Sequence, residues 1–204
     1  MLDIDLRTIV LATRNTGKLR EFQILLQPLE CSVLGLTDVA IDRDIDESGT
    51  TFGENARLKA LFYSGLTSFP VLADDSGLEV MALAGRPGIY SARYAGTDAS
   101  DEDRNRKLLK ELEGEENNRT ARFFCALTLA QEGRILLETE GKCRGVIIHA
   151  PRGTNGFGYD PIFLFPELDK TFAELNQEEK NRYSHRYRAV RNLLARIKEE
   201  PGSI

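Results

Sequence analysis

The chain changes hydrophobic period several times, and each change marks an element. Thr8 to Thr13 is an apolar run rich in branched side chains and predicts a buried strand. Gly17 to Leu26 then places Leu19, Phe22, Ile24, Leu25 and Leu26 at helical intervals. A short strand is expected near Cys31–Leu34, followed by a polar loop through Gly49. Thr51 to Leu66 reads as a helix, its apolar stripe supplied by Phe52, Ala56, Leu58 to Ala60, Phe62 and Tyr63. Pro70 opens a second buried strand, VLA, which the pattern stops at Asp74-Asp75-Ser76-Gly77.

Further along, Ser100 and Asp103 resemble a capping box and predict a helix to about Leu112. Gly114 to Asn118 is a loop. Ala121, Phe123, Cys125, Leu127 and Leu129 alternate, so 119–131 and 134–148 read as an antiparallel hairpin turning at Glu132-Gly133. The glycine-rich stretch PRGTNGFGYDP is a turn. Ser184 is the expected N-cap of a last helix, with Ala189, Val190, Leu193, Leu194 and Ile197 at helical spacing. Strands alternating with helices, then a long hairpin, indicate a mixed α/β sheet with a second lobe. No linker or repeat interrupts it, so residues 1–204 are expected to form a single domain.

Composition adds limits rather than direction. The 204 residues are 41% hydrophobic and 29% charged, as in a globular protein with a sizeable core. No apolar stretch approaches the roughly 18 residues a membrane span needs, and MLDIDLRTIV has acids where a signal peptide has bases. Cys31, Cys125 and Cys143 are an odd set without metal or disulfide spacing, which suits a reducing compartment, the cytoplasm. A net charge of −5 argues against a general nucleic-acid binder. Yet the charge is segregated: Asp38 to Glu54 is acidic and Lys180 to Lys198 is basic, so one stretch suits a metal and the other an anion, unless both are merely solvated faces.

Four stretches could carry chemistry. In LATRNTGKLREF, a strand enters a polar turn ending in Gly17-Lys18. A Walker loop would need Gly at Ala12 and Ser or Thr at Leu19. What stands there suits either a plain capped turn or an anion site at a helix N-terminus with Lys18 as a point charge. LADDSGLE sets two carboxylates side by side, which calls for a cation or strong donors if both are buried and ionised. Magnesium prefers carboxylate, water and phosphate oxygens, and Glu47 in the acidic loop is a second candidate ligand. GFGYDP permits close backbone approach beside an aromatic ring, as either a base platform or a core plug. KNRYSHR gathers Lys180, His185 and Arg186 near a helix start.

Six blocks, LATRNTGK, FGENARLKA, LADDSGLEV, GRPGIYSARYAG, GFGYDPIF and SHR, together resemble the inosine triphosphate pyrophosphatase family, described also as non-canonical purine nucleoside triphosphate pyrophosphatases. The resemblance runs from about Thr8 to Ala195. It implies an elongated mixed β-sheet with flanking helices, two lobes around a central nucleotide-binding cleft, and a homodimer. It implies hydrolysis of ITP, dITP and XTP to the monophosphate and pyrophosphate with Mg²⁺. On this likeness Thr13, Arg14, Asn15, Thr16, Gly17 and Lys18 contact the triphosphate, and Glu47 and Asp75 hold the metal, Asp75 serving also as the base. Ser76 touches substrate. Phe157, Gly158, Tyr159 and Asp160 line the base pocket, which Lys180, His185 and Arg186 complete, while Asp74 and Lys59 support the site. Donors such as Arg186, His185 and backbone N–H groups would suit the C6 oxygen of hypoxanthine and leave adenine's amino group unpaired.

Three other readings stand beside this one. A kinase or ATPase with a phosphate loop is disfavoured by Ala12 and Leu19. A binding module without turnover is disfavoured by the intact acids Glu47, Asp74 and Asp75. A house-cleaning pyrophosphatase with a different base preference shares all of these motifs.

Overall fold

The computed structural model describes residues 5–199. Its framework is an open seven-stranded mixed sheet with helices packed against it. The first strand, β1 (Thr8–Leu11), is short and almost wholly buried, as its branched residues require. It leads into α1 (Thr16–Leu25), whose N-cap Asn15 accepts the Lys18 backbone N–H at 3.0 Å. The chain returns as β2 (Ser32–Gly35), parallel to β1 with Thr8 opposite Ser32 and Leu11 opposite Gly35. After the acidic loop comes α2 (Phe52–Ser64), capped by Thr51, which accepts the Glu54 N–H at 3.2 Å.

The next strand corrects the expectation from the sequence. β3 (Val71–Val80) does not stop at the two acids; it runs through Asp74, Asp75, Ser76 and Gly77 without a break. Asp-Asp-Ser-Gly has the composition of a turn, but β3 lies between β1 and β4 in the sheet; β1 meets it at Val71 and Leu72, and the strand continues past them as a neighbour of β4. Its N-terminal part is parallel to β1, with Val10 opposite Val71.

The capping box is present: Ser100 and Asp103 reciprocally satisfy backbone N–H groups at the start of α3 (Asp101–Glu111). The hairpin of β4 (Thr120–Gln131) and β5 (Arg134–Ile147) also forms as expected. Its turn residues Glu132 and Gly133 both take positive φ, 50° and 71°, the conformation that matches strand twist. Two short strands follow that the pattern did not indicate, β6 (Phe163–Phe165), antiparallel to β5, and β7 (Lys170–Thr171), antiparallel to β6. The strand order is β2-β1-β3-β4-β5-β6-β7. A further helix missed in the sequence, α4 (Gln177–Tyr183), rests on a second capping box between Asn176 and Glu179. Ser184 separates it from α5 (His185–Glu199).

Two compact units share the chain. In the first, made of residues up to Asp75, Cys125–Gly141 and the chain from Arg186, the sheet is covered on both faces. Ile9, Leu11, Leu72, Cys125, Leu127 and Leu129 pack with Phe22 of α1 and Ala189, Val190, Leu193 and Ile197 of α5. On the opposite face Val10, Ala12, Val71, Ala73 and Ala130 pack with Ala60 and Tyr63 of α2. Each fully buried large side chain contributes about 1.5–3 kcal/mol, before the cost of ordering the chain.

The second unit, residues Ser76–Phe124 and Lys142–His185, has an aromatic core. Phe163 lies 4.5 Å from Phe123 and 5.0 Å from Phe172 between ring centroids. Gly145 makes room for this cluster, because a Cβ there would fall 2.4 Å from the Leu164 carbonyl oxygen and 2.5 Å from the Phe163 ring. Leu108 of α3 is buried in the same core. Arg119 is buried beside it and donates to the carbonyls of Leu112, Glu115, Ile147 and Ile148, so its guanidinium closes the end of α3.

Candidate active site

Successive side chains on a strand point to opposite faces, and this separates the two acids of β3. Asp74 is buried and lies 2.5 Å from Lys18 Nζ through Oδ2. Its other oxygen accepts from the Cys125 thiol at 3.1 Å and lies 3.9 Å from Arg186 Nε. Burial alone would raise the Asp74 pKa, but Lys18 and Arg186 outweigh burial and hold it below the usual carboxylate range. Burial pushes the Cys125 thiol well above its ordinary value, with Asp74 adding to the effect, so it stays protonated and able to donate.

Asp75 answers to a different lysine. Lys59 Nζ donates to Asp75 Oδ1 and to Glu47 Oε1, both at 2.9 Å, so these two carboxylates converge on one cationic point. Asn55 Nδ2 donates to the second Asp75 oxygen at 3.3 Å, while its own Oδ1 accepts the Gly49 N–H at 2.8 Å and fixes the acidic loop. Burial raises the Asp75 pKa, and Lys59 offsets that only partly. For Lys59 burial acts downward, but Asp75 and Glu47 prevail and its pKa rises.

Around the opening turn, Thr13 Oγ1 accepts the Asn15 N–H at 3.2 Å, and Asn15, Thr16 and Arg14 are exposed at the head of α1. Gly17 follows in the first turn of the helix. Arg14 leans on the acidic loop, donating to the Arg43 carbonyl at 3.3 Å and pairing with Asp42 and Asp44 at 3.6 Å. Arg186 donates to Glu21 Oε2 at 2.9 Å, both side chains buried. Lys18, Asp74, Arg186 and Glu21 thus alternate in sign in the first unit.

The other sequence-predicted residues belong to the second unit. Ser76 is half-buried on β3. Asp160 accepts the Phe157 N–H at 2.9 Å and the Lys180 ammonium at 2.6 Å, and Lys180 also lies 4.8 Å from the Phe157 ring centroid. Gly158 sits at φ 65°, between Phe157 and a Tyr159 that is buried in the core with its hydroxyl donating to the Ser91 carbonyl at 3.0 Å. Lys180 lies on α4 rather than at the helix start that carries His185 and Arg186. The His185 ring stacks on Phe123 at 4.7 Å and 12°.

The sequence reading missed Glu21, Asn55 and Cys125. Asn55 had a signal, since it precedes Lys59 by four positions on α2 and so shares its face. Among the described residues no three His, Cys, Asp or Glu side chains group together to hold a metal. Two hard carboxylates already converging on one cation nevertheless fit Mg²⁺, which takes one or two carboxylates and completes its shell with water and phosphate oxygens.

An open mixed sheet with an interior strand that carries two lysine-paired carboxylates defines an α/β protein with a charged site on β3. A model of the Ham1 family matches residues 9–196. The chain is 54% identical to a dITP/XTP pyrophosphatase of Gloeobacter violaceus, over 93% of this chain and 94% of that one. It is 53% identical to a dITP/XTP pyrophosphatase of Thermus thermophilus, over 95% and 93%. The solved structure of a HAM1 protein from Coxiella burnetii superposes with a TM-score of 0.85 at 44% identity, covering 94% of this chain and 98% of that chain. The chain belongs to the Ham1 family.

Proposed function

We propose that this protein is a nucleoside triphosphate pyrophosphatase that cleaves ITP, dITP and XTP to the monophosphate and pyrophosphate. The observation that carries the reading is the convergence of Glu47 and Asp75 on one cationic point, with a second carboxylate–lysine pair, Asp74–Lys18, on the same strand. The names of the Gloeobacter and Thermus relatives supply the substrate class.

In this reading Glu47 and Asp75 are the residues that would hold Mg²⁺, and the ion, when bound, supplies Lewis-acid withdrawal of charge from the phosphate oxygens. The turn from Thr13 to Lys18 binds the phosphates at the positive end of the α1 dipole. Asp75 accepts a proton from the attacking water, a role favoured by the upward shift that burial gives its pKa. A bond forms between the water oxygen and the α-phosphorus. The bond to the bridging oxygen breaks, and pyrophosphate leaves with its charge offset by Lys18. Ser76, Phe157 to Asp160, Lys180, His185 and Arg186 bind the nucleoside; donors such as His185 and Arg186 favour the C6 oxygen over adenine's amino group, and guanine, which shares that oxygen, is excluded by a separate device near C2. A homodimer in the cytoplasm belongs to the same reading; the free state of Cys31, Cys125 and Cys143 supports the compartment.

The test is product analysis with Mg²⁺ and ITP, dITP, XTP, GTP and ATP, with light scattering for the dimer. Pyrophosphate plus monophosphate from the first three, with ATP and GTP nearly intact, is the expected result. Orthophosphate from ATP would overturn it.

A further inference from the structure

The loop from Phe157 to Asp160 is held from outside by one helix. Asp101 and Asn105 stand four residues apart on α3, hence on one face. Asp101 Oδ2 accepts the Gly158 N–H at 2.7 Å, and Asn105 Nδ2 donates to the Gly158 carbonyl at 3.1 Å. Gly158 sits at positive φ and has no side chain with which to anchor itself. The helix therefore fixes it through both polar groups of its own residue. Inside the loop, the Phe157 N–H is already given to Asp160, so the backbone on either side of the ring is fully located.

The cost of this arrangement is visible at Asn105. The side chain is buried, 5% exposed, and its Oδ1 meets no donor among the described residues. Turning the amide over would set Oδ1 against the Gly158 carbonyl, so the orphan cannot be relieved by a flip. An apolar residue of the same size would remove this orphan but leave the Gly158 carbonyl without the Asn105 donor. The amide thus leaves one of its own acceptors unmet while it holds the loop carbonyl.

We infer that Asn105 and Asp101 are positioning residues for base discrimination: they hold the Phe157–Asp160 loop in the shape that separates 6-oxo from 6-amino purines. The inference rests on the functional reading above and adds to it two residues outside the motif blocks. A loosened loop weakens the distinction between bases while leaving the phosphate-binding residues of the first unit unaltered.

The experiment measures kcat/KM for ITP and ATP in wild-type, Asn105→Leu and Asp101→Ala proteins, with melting temperature in parallel. Asp101 is partly exposed, which keeps the second variant foldable. The expected result for each is a fall of about fivefold in the ITP-to-ATP preference, carried by KM for ITP, the loss of one hydrogen bond. In Asn105→Leu the melting temperature changes little, since one unmet acceptor, Asn105 Oδ1, is exchanged for another, the Gly158 carbonyl. An unchanged preference in both variants, whatever their melting temperatures, would overturn the positioning role alone. Wild-type protein that leaves ITP intact would remove the functional reading, and this inference with it.

Discussion

Lys18 closes on Asp74 at 2.5 Å, joining the helix that follows β1 to the middle of β3. The carboxylate side chain is wholly buried and the lysine half-buried, and the pair stands beside Arg186. Such a pair is neutral to modest in net stability while intact and costly to break from one side.

Replacing Lys18 with Met therefore costs about 3 kcal/mol in urea unfolding, the low end for a broken buried pair because the lysine keeps some contact with water. Adding Asp74→Asn to that variant recovers part of the loss, since the stranded charge is gone. If the two losses simply add, the pair is not coupled.

Lys59→Met removes the cation shared by Glu47 and Asp75. Without Mg²⁺ the variant melts well below wild type. With Mg²⁺ its melting temperature rises more than that of wild type, because an ion then supplies the missing positive charge. Equal Mg²⁺ shifts in both proteins would separate the ion from these two carboxylates.

Asp75→Asn keeps the shape of the side chain and removes its capacity to accept a proton. Turnover of ITP falls by about 10²–10⁴-fold, the usual weight of a general base, and melting temperature falls as well because Lys59 keeps only Glu47 as an ionised partner. Near-normal turnover would remove Asp75 from the chemistry.

Tyr94 gives a pH dependence away from these residues. Its hydroxyl donates to Glu111 Oε2 at 2.5 Å, and burial first, then that bond, pushes its pKa from 10.0 to about 12. A pKa raised in the folded state means the fold retains the proton more tightly. The stabilisation is complete below pH 10.0 and is lost as pH rises through about 12. Unfolding measurements across that window should show a steeper decline in wild type than in Tyr94→Phe.

Much of this was legible in the chain, for identifiable reasons. The Ser100–Asp103 box and the Glu132-Gly133 turn are local devices, readable within four residues. β3 was cut short in the reading because Asp-Asp-Ser-Gly is locally a turn, and only pairing with distant strands overrides that. Helix α4 has no apolar stripe to betray it and depends on its cap. The motif blocks exposed most of the candidate site, but not Glu21, which pairs with Arg186 from 165 positions away. A buried ion pair between remote segments leaves no periodic trace in either.

The pleat at Asp74 and Asp75 has a consequence for descent as well as for charge. Two adjacent codons encode two separate electrostatic addresses, one answering to Lys18 and the other to Lys59. Among diverging copies of this gene, compensating changes should therefore couple position 75 to 59 and position 74 to 18. The neighbours themselves should drift with little regard for each other.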